Sequence, residues 1–349
     1  MTDIGRRSAS RSLRIATWLC LALVAGRPLL AQSIDIPSKK WGLSIGNSKE
    51  FAGLRFNFRD SRVREIKGIN VTLWMPRKDN KDAVITGLSL GIAPGGGRVR
   101  GVQIGLLGAE AETELIGLNV AGLGVGAGDD LVGINIGGLG VGAGKNVKGI
   151  AIGGVGAGAG EDLKGIAIGG LGVGAGEDVR GICLGGLGVG AGGTFKGIAI
   201  GGLGIGAGDD LKGLAVGGLG VGCGGTLAGL AIGGLGVGAG ERIEGLAVCG
   251  LGAGAPEIRG LAVCGLGVGG KDLKGIFLAG GMVRVEKGGK LSGLAASCFN
   301  HVRGTVNGLS IGIVNYAWTM EKGLQLGVVN IVRDNPKGLR VLPVFNTGF

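Results

Sequence analysis

Residues 165–180 read GIAIGGLGVGAGEDVR, residues 197–212 read GIAIGGLGIGAGDDLK, and residues 229–244 read GLAIGGLGVGAGERIE. Units of 15 or 16 residues, some of them degenerate, recur from Gly53 to the last residue, Phe349. Self-similarity at a short fixed period is typical of repeat architectures, in which each unit is one supersecondary element. The sequence therefore predicts one tandem glycine-rich array over 53–349.

Two stretches of each unit alternate apolar and small residues, as strands with one apolar face do. Numbered from the first glycine, positions 2 and 4 (Ile198 and Ile200) form one stretch, and positions 7 and 9 (Leu203 and Ile205) form another in the opposite parity. We expect these four positions to stack into core-forming columns of Ile, Leu and Val. The glycine pair at positions 5 and 6 is expected at the corner or β-bulge that resets the phase.

Further turns are predicted where one unit meets the next. The boundary repeats an apolar, a polar, a glycine and an apolar residue, as in 211–214, LKGL, and glycine at the third place suits a type II turn because that residue has φ > 0. Position 8 is glycine in most units and asparagine at Asn300, Asn315 and Asn330. Since these two residues best tolerate left-handed backbone, positive φ is expected there as well.

An all-β solenoid, with one coil per unit, is the simplest fold with these properties. About 19 units at about 4.8 Å per coil predict a rod of about 90 Å. The alternative is an antiparallel outer-membrane β-barrel with one strand per repeat, which the terminal aromatic residues Phe345 and Phe349 favour. Such a barrel has two kinds of turn, and the turns EDLK, EDVR, GTFK and DDLK show no such alternation. The solenoid is therefore preferred.

The composition fits an exported protein that is not disordered. The chain has 85 Gly among 349 residues, but 45% of its residues are hydrophobic, which disordered chains lack. Four arginines before residue 15, then an apolar run and Ala31, predict a signal peptide at 1–31, followed by a leader at 32–52. The formal charge of +11 would fall to +7 with the loss of five Arg and one Asp.

Motifs for chemistry are weak throughout. A run over 265–271 begins like a phosphate-binding loop, but Asp272 stands where Ser or Thr must hold magnesium. His301 is the only histidine, and acidic pairs such as Asp209-Asp210 recur at turns as solvated residues do. We therefore expect no catalytic, cofactor-binding or metal-binding residues, and a protein that is not an enzyme.

The cysteines do not form a disulfide framework. Five follow the predicted signal peptide without any CxxC, and they stand where sibling units carry Gly, Ala or another small or apolar residue. We interpret them as small hydrophobic residues in tight places. Cys249 and Cys264 share one repeat position in successive units, which leaves a disulfide between them as an alternative.

The later units GLSIGIVN (308–315) and GLQLGVVN (323–330) resemble the GLQIGLxN repeats of the bacterial surface repeat-containing proteins, and the closing GLRVLPVFNTGF is similar to that family's ending. The resemblance implies a cell-surface or outer-membrane setting without catalytic activity. The central GGLGVG units depart from it by placing glycine where the family often has a larger apolar residue or Asn.

A basic residue stands just before the first glycine of many units, and in a solenoid such residues line one edge. This ridge suits anionic envelope polymers, such as lipopolysaccharide or polysaccharide, whereas nucleic acid is not expected as a partner of an exported chain. The alternative interpretation is a mixed-charge edge that prevents sticking. We expect a structural or adhesive surface protein, with an outer-membrane barrel or pore as the second hypothesis. The candidate anion-binding residues are Lys148, Lys164, Arg180, Lys196, Lys212, Arg259 and Lys274.

Overall fold

The computed structural model describes residues 33–349, and the predicted signal peptide at 1–31 lies outside them. Across the described residues the chain is all-β, with 73% strand and no helix, and it winds into about 17 stacked coils spaced ~16 residues apart. This is the predicted β-solenoid. At about 4.8 Å per coil the rod is about 80 Å long. None of residues 33–349 belongs to a helix long and apolar enough to cross a membrane.

The rod begins with single strands and continues as pairs of a long and a short strand. The opening strands are β1 (Ile34–Pro37), β2 (Trp41–Ile45), β3 (Glu50–Arg59), β4 (Glu65–Trp74), β5 (Val84–Gly91), β6 (Gly95–Gly105) and β7 (Gly108–Ala121). The paired strands are β8 (Gly124–Ala127), β9 (Asp130–Gly137), β10 (Gly140–Ala143), β11 (Val147–Gly153), β12 (Gly156–Ala159), β13 (Leu163–Gly169), β14 (Gly172–Ala175), β15 (Val179–Gly185), β16 (Gly188–Ala191), β17 (Phe195–Gly201), β18 (Gly204–Ala207), β19 (Leu211–Gly217), β20 (Gly220–Cys223), β21 (Thr226–Gly233), β22 (Gly236–Ala239), β23 (Arg242–Cys249), β24 (Gly252–Gly254) and β25 (Glu257–Cys264). The rod ends with β26 (Gly267–Ala279), β27 (Met282–Ala296), β28 (Phe299–Ile311), β29 (Val314–Val332) and β30 (Val341–Asn346).

Neighbouring coils pair in parallel, in the register of the repeat. β13 pairs with β15 so that Gly165 lies opposite Gly181, and the 15-residue units pair in the same way, with Gly245 opposite Gly260. This parallel stacking rules out the antiparallel alternative as the architecture. The pairing is antiparallel only at the two ends, where β1 meets β2 and β30 meets β29 among the described strands.

The stack also takes in part of the predicted leader. β2 pairs in parallel with β3, with Gly42 opposite Gly53, and Gly42 has a φ of +116° like the unit glycines. Beside it, the buried guanidinium of Arg55 donates to Asp60 (2.6 Å) and to Asn70 (2.8 Å). A buried charge is stable only when it is paired and hydrogen-bonded, so this network closes the first coils without exposing the core.

The interior holds odd-numbered positions of the unit, which corrects the predicted columns. In the unit 197–212, Ala199, Ile205 and Leu211 are buried, whereas Ile198 is 36% and Leu203 48% exposed. The side chain at position 4 also points outwards, because it is two residues from position 2 on the same strand. Of the four predicted core columns, only position 9 lies in the core, and it is joined there by positions 3 and 15.

Strand alternation accounts for this inversion. The small residues at positions 3 and 5 point into the coil, so the large residues at positions 2 and 4 of the same strand point outwards. Because the buried positions share one parity, the predicted change of phase does not occur. The predicted corner is present, because the chain bends at Gly202 and Leu203 between β17 and β18. Assigning the core by residue size fails here because large apolar side chains are also common on protein surfaces.

The unit-initial glycines form a column that we call the glycine ladder. Gly165, Gly181 and Gly197 have φ values of +131°, +138° and +133°, which confirms the predicted positive φ. The predicted type II turn is wrong, because these residues lie inside the long strands β13, β15 and β17. A Cβ on Gly197 would overlap the carbonyl oxygen of Gly181 in the preceding coil, and a Cβ on Gly181 would overlap that of Gly165.

The asparagines at position 8 lie inside the coil. Asn300, Asn315 and Asn330 are buried and bond coil to coil, with Nδ2 of Asn300 donating to Oδ1 of Asn315 (2.7 Å) and Asn315 to Asn330 (2.8 Å). Positive φ at these residues was wrongly predicted, since Arg62 and Val344 are the described non-glycine residues that have it. Asn300 instead lies opposite Val283 in the position-9 core column.

Two alanine substitutions separate glycines that the coil requires from glycines that it does not. Gly197→Ala should lower the free energy of unfolding by about 1–3 kcal/mol or more, because the methyl group meets the Gly181 carbonyl at an unfavourable φ. Gly206→Ala should be neutral or stabilise by up to about 1 kcal/mol, because nothing lies within 4 Å of its added Cβ. Denaturant titration of both variants measures the difference, and equal midpoints would contradict the ladder.

Candidate functional site

The outward side of the long strand combines basic and apolar columns, and we call it the ridge face. Position 16 of one unit and positions 2 and 4 of the next, such as Lys196, Ile198 and Ile200, alternate with buried residues along one strand. The exposed fractions of Ile198 and Ile200 are 36% and 44%. The ridge face therefore presents cations beside two columns of Ile, Leu and Val.

The predicted basic residues do lie in one column. The register places Lys148, Lys164, Arg180, Lys196 and Lys212 opposite one another in successive coils. Ala228 and Glu244 then interrupt the column before Arg259 and Lys274 resume it. The ridge thus consists of a run of five cations and a separate pair.

Most of these cations are paired with a carboxylate, which in four cases is the residue two places before the cation in the chain. Lys164 bonds to Asp162 at 2.7 Å, Lys212 to Asp210 at 2.7 Å and Arg259 to Glu257 at 2.6 Å. The Arg180–Asp178 pair (3.3 Å) and the Lys148–Asp130 pair (3.8 Å) are longer. Exposed pairs of this kind contribute little to stability, but they neutralise much of the ridge.

Lys196 and Lys274 differ from the other ridge cations. Neither makes an ion pair with a residue of the described chain, and the position-14 residue beside Lys196 is Thr194. They are therefore the ridge cations freest to meet an external anion.

The outward side of the short strand is bare, and we call it the glycine face. In β16 and β18, Val189 and Ile205 point inwards, while positions 8 and 10 are glycine. The same glycine pair occurs in each coil from Gly124 and Gly126 to Gly267 and Gly269. An exposed ridge of leucines, with one valine, runs along one edge of this face at position 7: Leu123 48%, Leu139 54%, Val155 45%, Leu171 52%, Leu187 49%, Leu203 48%, Leu219 49%, Leu235 48%, Leu251 48% and Leu266 61%.

Charged residues stand at both ends of the glycine face. In the position-10 column, Glu110 precedes Gly126, and Arg284 follows Gly269. Both residues are exposed, and neither makes an ion pair within residues 33–349. Partial burial of the Glu110 carboxyl, and then the nearby Glu112, raise the pKa of Glu110. The aromatic rings of Phe299 and His301 stack at 5.2 Å just beyond Arg284 and end the flat surface.

The structure joins one pair of cysteines. Cys249 and Cys264 form a disulfide between adjacent coils, at position 5, which is glycine in most units. Cys183 is a buried small residue, as predicted for the cysteines in general, and burial raises the pKa of its thiol to about 12. Its thiol is therefore protonated and unreactive at neutral pH.

Potential metal ligands do not cluster among residues 33–349. That part of the chain contains no cluster of three or more His, Cys, Asp or Glu that could hold a metal ion. The pKa of His301 is lowered by burial and then by Arg284 and Arg303.

Comparisons with known protein families, with curated proteins and with solved structures find no match.

The sequence predicts the basic column but not the two faces. The ridge face depends on which alternate side chains of the long strand point outwards, and that in turn depends on how side chains pack inside the coil. The glycine face could have been noticed because positions 8 and 10 are glycine in successive units, although periodicity alone does not separate these glycines from those that the coil requires.

Lys212→Ala should raise the pKa of Asp210, because the Lys212 hydrogen bond is the largest cause of its lowering. Because the pKa of Asp210 is lower in the folded than in the unfolded chain, its ionised carboxyl stabilises the fold at pH values above the unfolded pKa. That stability is lost as the pH falls through the folded pKa. The variant should therefore lose less stability on acidification than the parent protein. Carboxyl NMR titration measures this shift, and Asp162, held low by Lys164, is the internal control. An unchanged Asp210 pKa would contradict the assigned pairing.

Proposed function

We propose that the protein is an exported, non-enzymatic surface protein with a structural or adhesive role. In this proposal the ridge face holds it against anionic envelope components such as lipopolysaccharide or polysaccharide. The observation that supports it most is the strand pattern that sets Lys196 beside Ile198 and Ile200 on one outward side. A ligand with an anionic group and an acyl chain matches both kinds of column.

Repetition strengthens this interpretation. The same arrangement recurs in the five successive coils from Lys148 to Lys212, so one extended polymer or one lipid surface can contact several similar sites. A weak contact at each of these coils then gives tight overall attachment. The side chains that bind would be those without an internal partner, Lys196 and Lys274 foremost.

Export is supported by three independent features. The amino-terminal sequence has the order of charged, apolar and small residues typical of a signal peptide. The Cys249–Cys264 disulfide suits an oxidising compartment, where such bonds form and persist. The units at 308–315 and 323–330 resemble repeats of bacterial surface proteins.

The test measures binding of the purified chain to vesicles containing lipopolysaccharide and to neutral vesicles, at two salt concentrations. Lys196→Glu/Lys274→Glu should weaken binding about tenfold or more, because each basic residue near an anionic surface contributes about 1 kcal/mol. Lys81→Glu/Lys287→Glu makes the same change in net charge at exposed lysines away from the ridge and should bind nearly as the parent does.

Replacing one residue in each apolar column tests the apolar half of the same face. Ile198→Ser/Ile200→Ser should weaken binding in high salt, where the electrostatic part is screened. Equal losses in the ridge and control lysine variants, or equal binding to neutral vesicles, would count against the proposal.

A further inference from the structure

We propose that the glycine face is the docking surface for a second copy of this chain, laid antiparallel about a two-fold axis. This face is distinct from the ridge face, so the inference does not depend on the proposed envelope binding. It follows from the leucine ridge, the bare strand beside it and the two charges at its ends.

Position 10 of the bare strand has room for a side chain. A Cβ on Gly190 or Gly206 would meet nothing within 4 Å, and on the other position-10 glycines it would lie 3.4–3.9 Å from the nearest atom. Position 8 is tighter, at 3.3–3.8 Å, and neither position has positive φ. By contrast, a Cβ at position 6 or 12 would overlap a carbonyl oxygen of the preceding coil, as at Gly202 and Gly208. Glycine inside a strand weakens it, and unforced glycine there often marks the close approach of another backbone.

The occupant must be rigid and uncharged along most of its length. Between Gly124 and Gly269, positions 7, 8 and 10 hold only leucine, valine and glycine. A polyanion would need cations on this face, and fluid acyl chains would fit around added methyl groups as readily as around glycine. A second glycine face has the same spacing of about 4.8 Å between coils and offers a matching leucine ridge.

The end charges determine the orientation. Glu110 lies five coils before Gly190 in the position-10 column, and Arg284 lies five coils after Gly206. A two-fold axis between Gly190 and Gly206 therefore brings each Glu110 opposite Arg284 of the partner subunit. The two leucine ridges meet along one edge in the same arrangement. In a parallel arrangement in register, like charges would face each other at both ends.

The area is sufficient for a specific pair. About ten coils at about 4.8 Å and a four-residue strand at about 3.3 Å per residue cover about 600 Å² on each copy. The total of about 1,200 Å² exceeds the roughly 1,000 Å² expected of a biological interface. Because both copies use the same surface, the interface closes as a dimer.

Sedimentation equilibrium of the purified chain tests the proposal, with circular dichroism to confirm folding of each variant. The parent protein should be a dimer at micromolar concentration. Glu110→Arg or Arg284→Glu alone should raise the dissociation constant about tenfold or more, because each places like charges opposite each other at both ends. The combined swap Glu110→Arg/Arg284→Glu should restore the parent value.

The centre of the face gives a second, independent variant. Gly190→Glu/Gly206→Glu should be folded and monomeric, whereas Lys196→Glu/Lys212→Glu, on the ridge face, should stay dimeric. A parent protein that is monomeric at 100-fold higher concentration, on the order of 0.1 mM, would overturn the proposal. Failure of the combined swap to restore the dimer would overturn it as well. If the parent is monomeric and Gly190→Glu/Gly206→Glu loses vesicle binding, the occupant of the glycine face is lipid and not a second copy.

Discussion

The solenoid depends on one close approach, that of each unit-initial glycine to the carbonyl oxygen of the equivalent glycine in the preceding coil. A Cβ on Gly165 or Gly213 would overlap that oxygen, and the backbone there has a positive φ that other residues rarely adopt. The ladder runs through units of both lengths because Gly245 still lies opposite Gly260. A change of one residue in the turn is therefore absorbed without loss of register.

The faces of the rod follow from the coil that this approach creates. On the long strand Ala199 and Gly201 point inwards, and the alternation of the strand then sends Ile198 and Ile200 to the surface. Small residues are therefore buried at positions 3 and 5, whereas position 15 holds large buried residues such as Phe195 and Leu211. The same alternation brings Lys196 out beside the isoleucines, so the ridge face is a direct result of packing small residues inside.

The sequence predicted the repeat architecture but not which way its side chains point. The period of 229–244 indicates stacked units, and the boundary motif of 211–214 indicates positive φ at Gly213, because each signal is local. The choice between Ile198 and Ala199 for the core depends on how the side chains pack inside the coil, which is a property of the whole coil. The relation between Glu110 and Arg284 requires the register of every intervening coil, including those of 15 residues.

The central claim is that the coils are held in register by the glycine ladder, and deleting whole or half units tests it most directly. Removing 165–180 brings Gly149 opposite Gly181 and leaves the ladder intact, so the protein should retain its β-sheet circular dichroism and a single cooperative thermal transition close to that of the parent. Removing only 165–172 breaks the ladder and should abolish that transition or lower it markedly. Unfolding of the whole-unit deletion, or equal behaviour of the two deletions, would contradict the account.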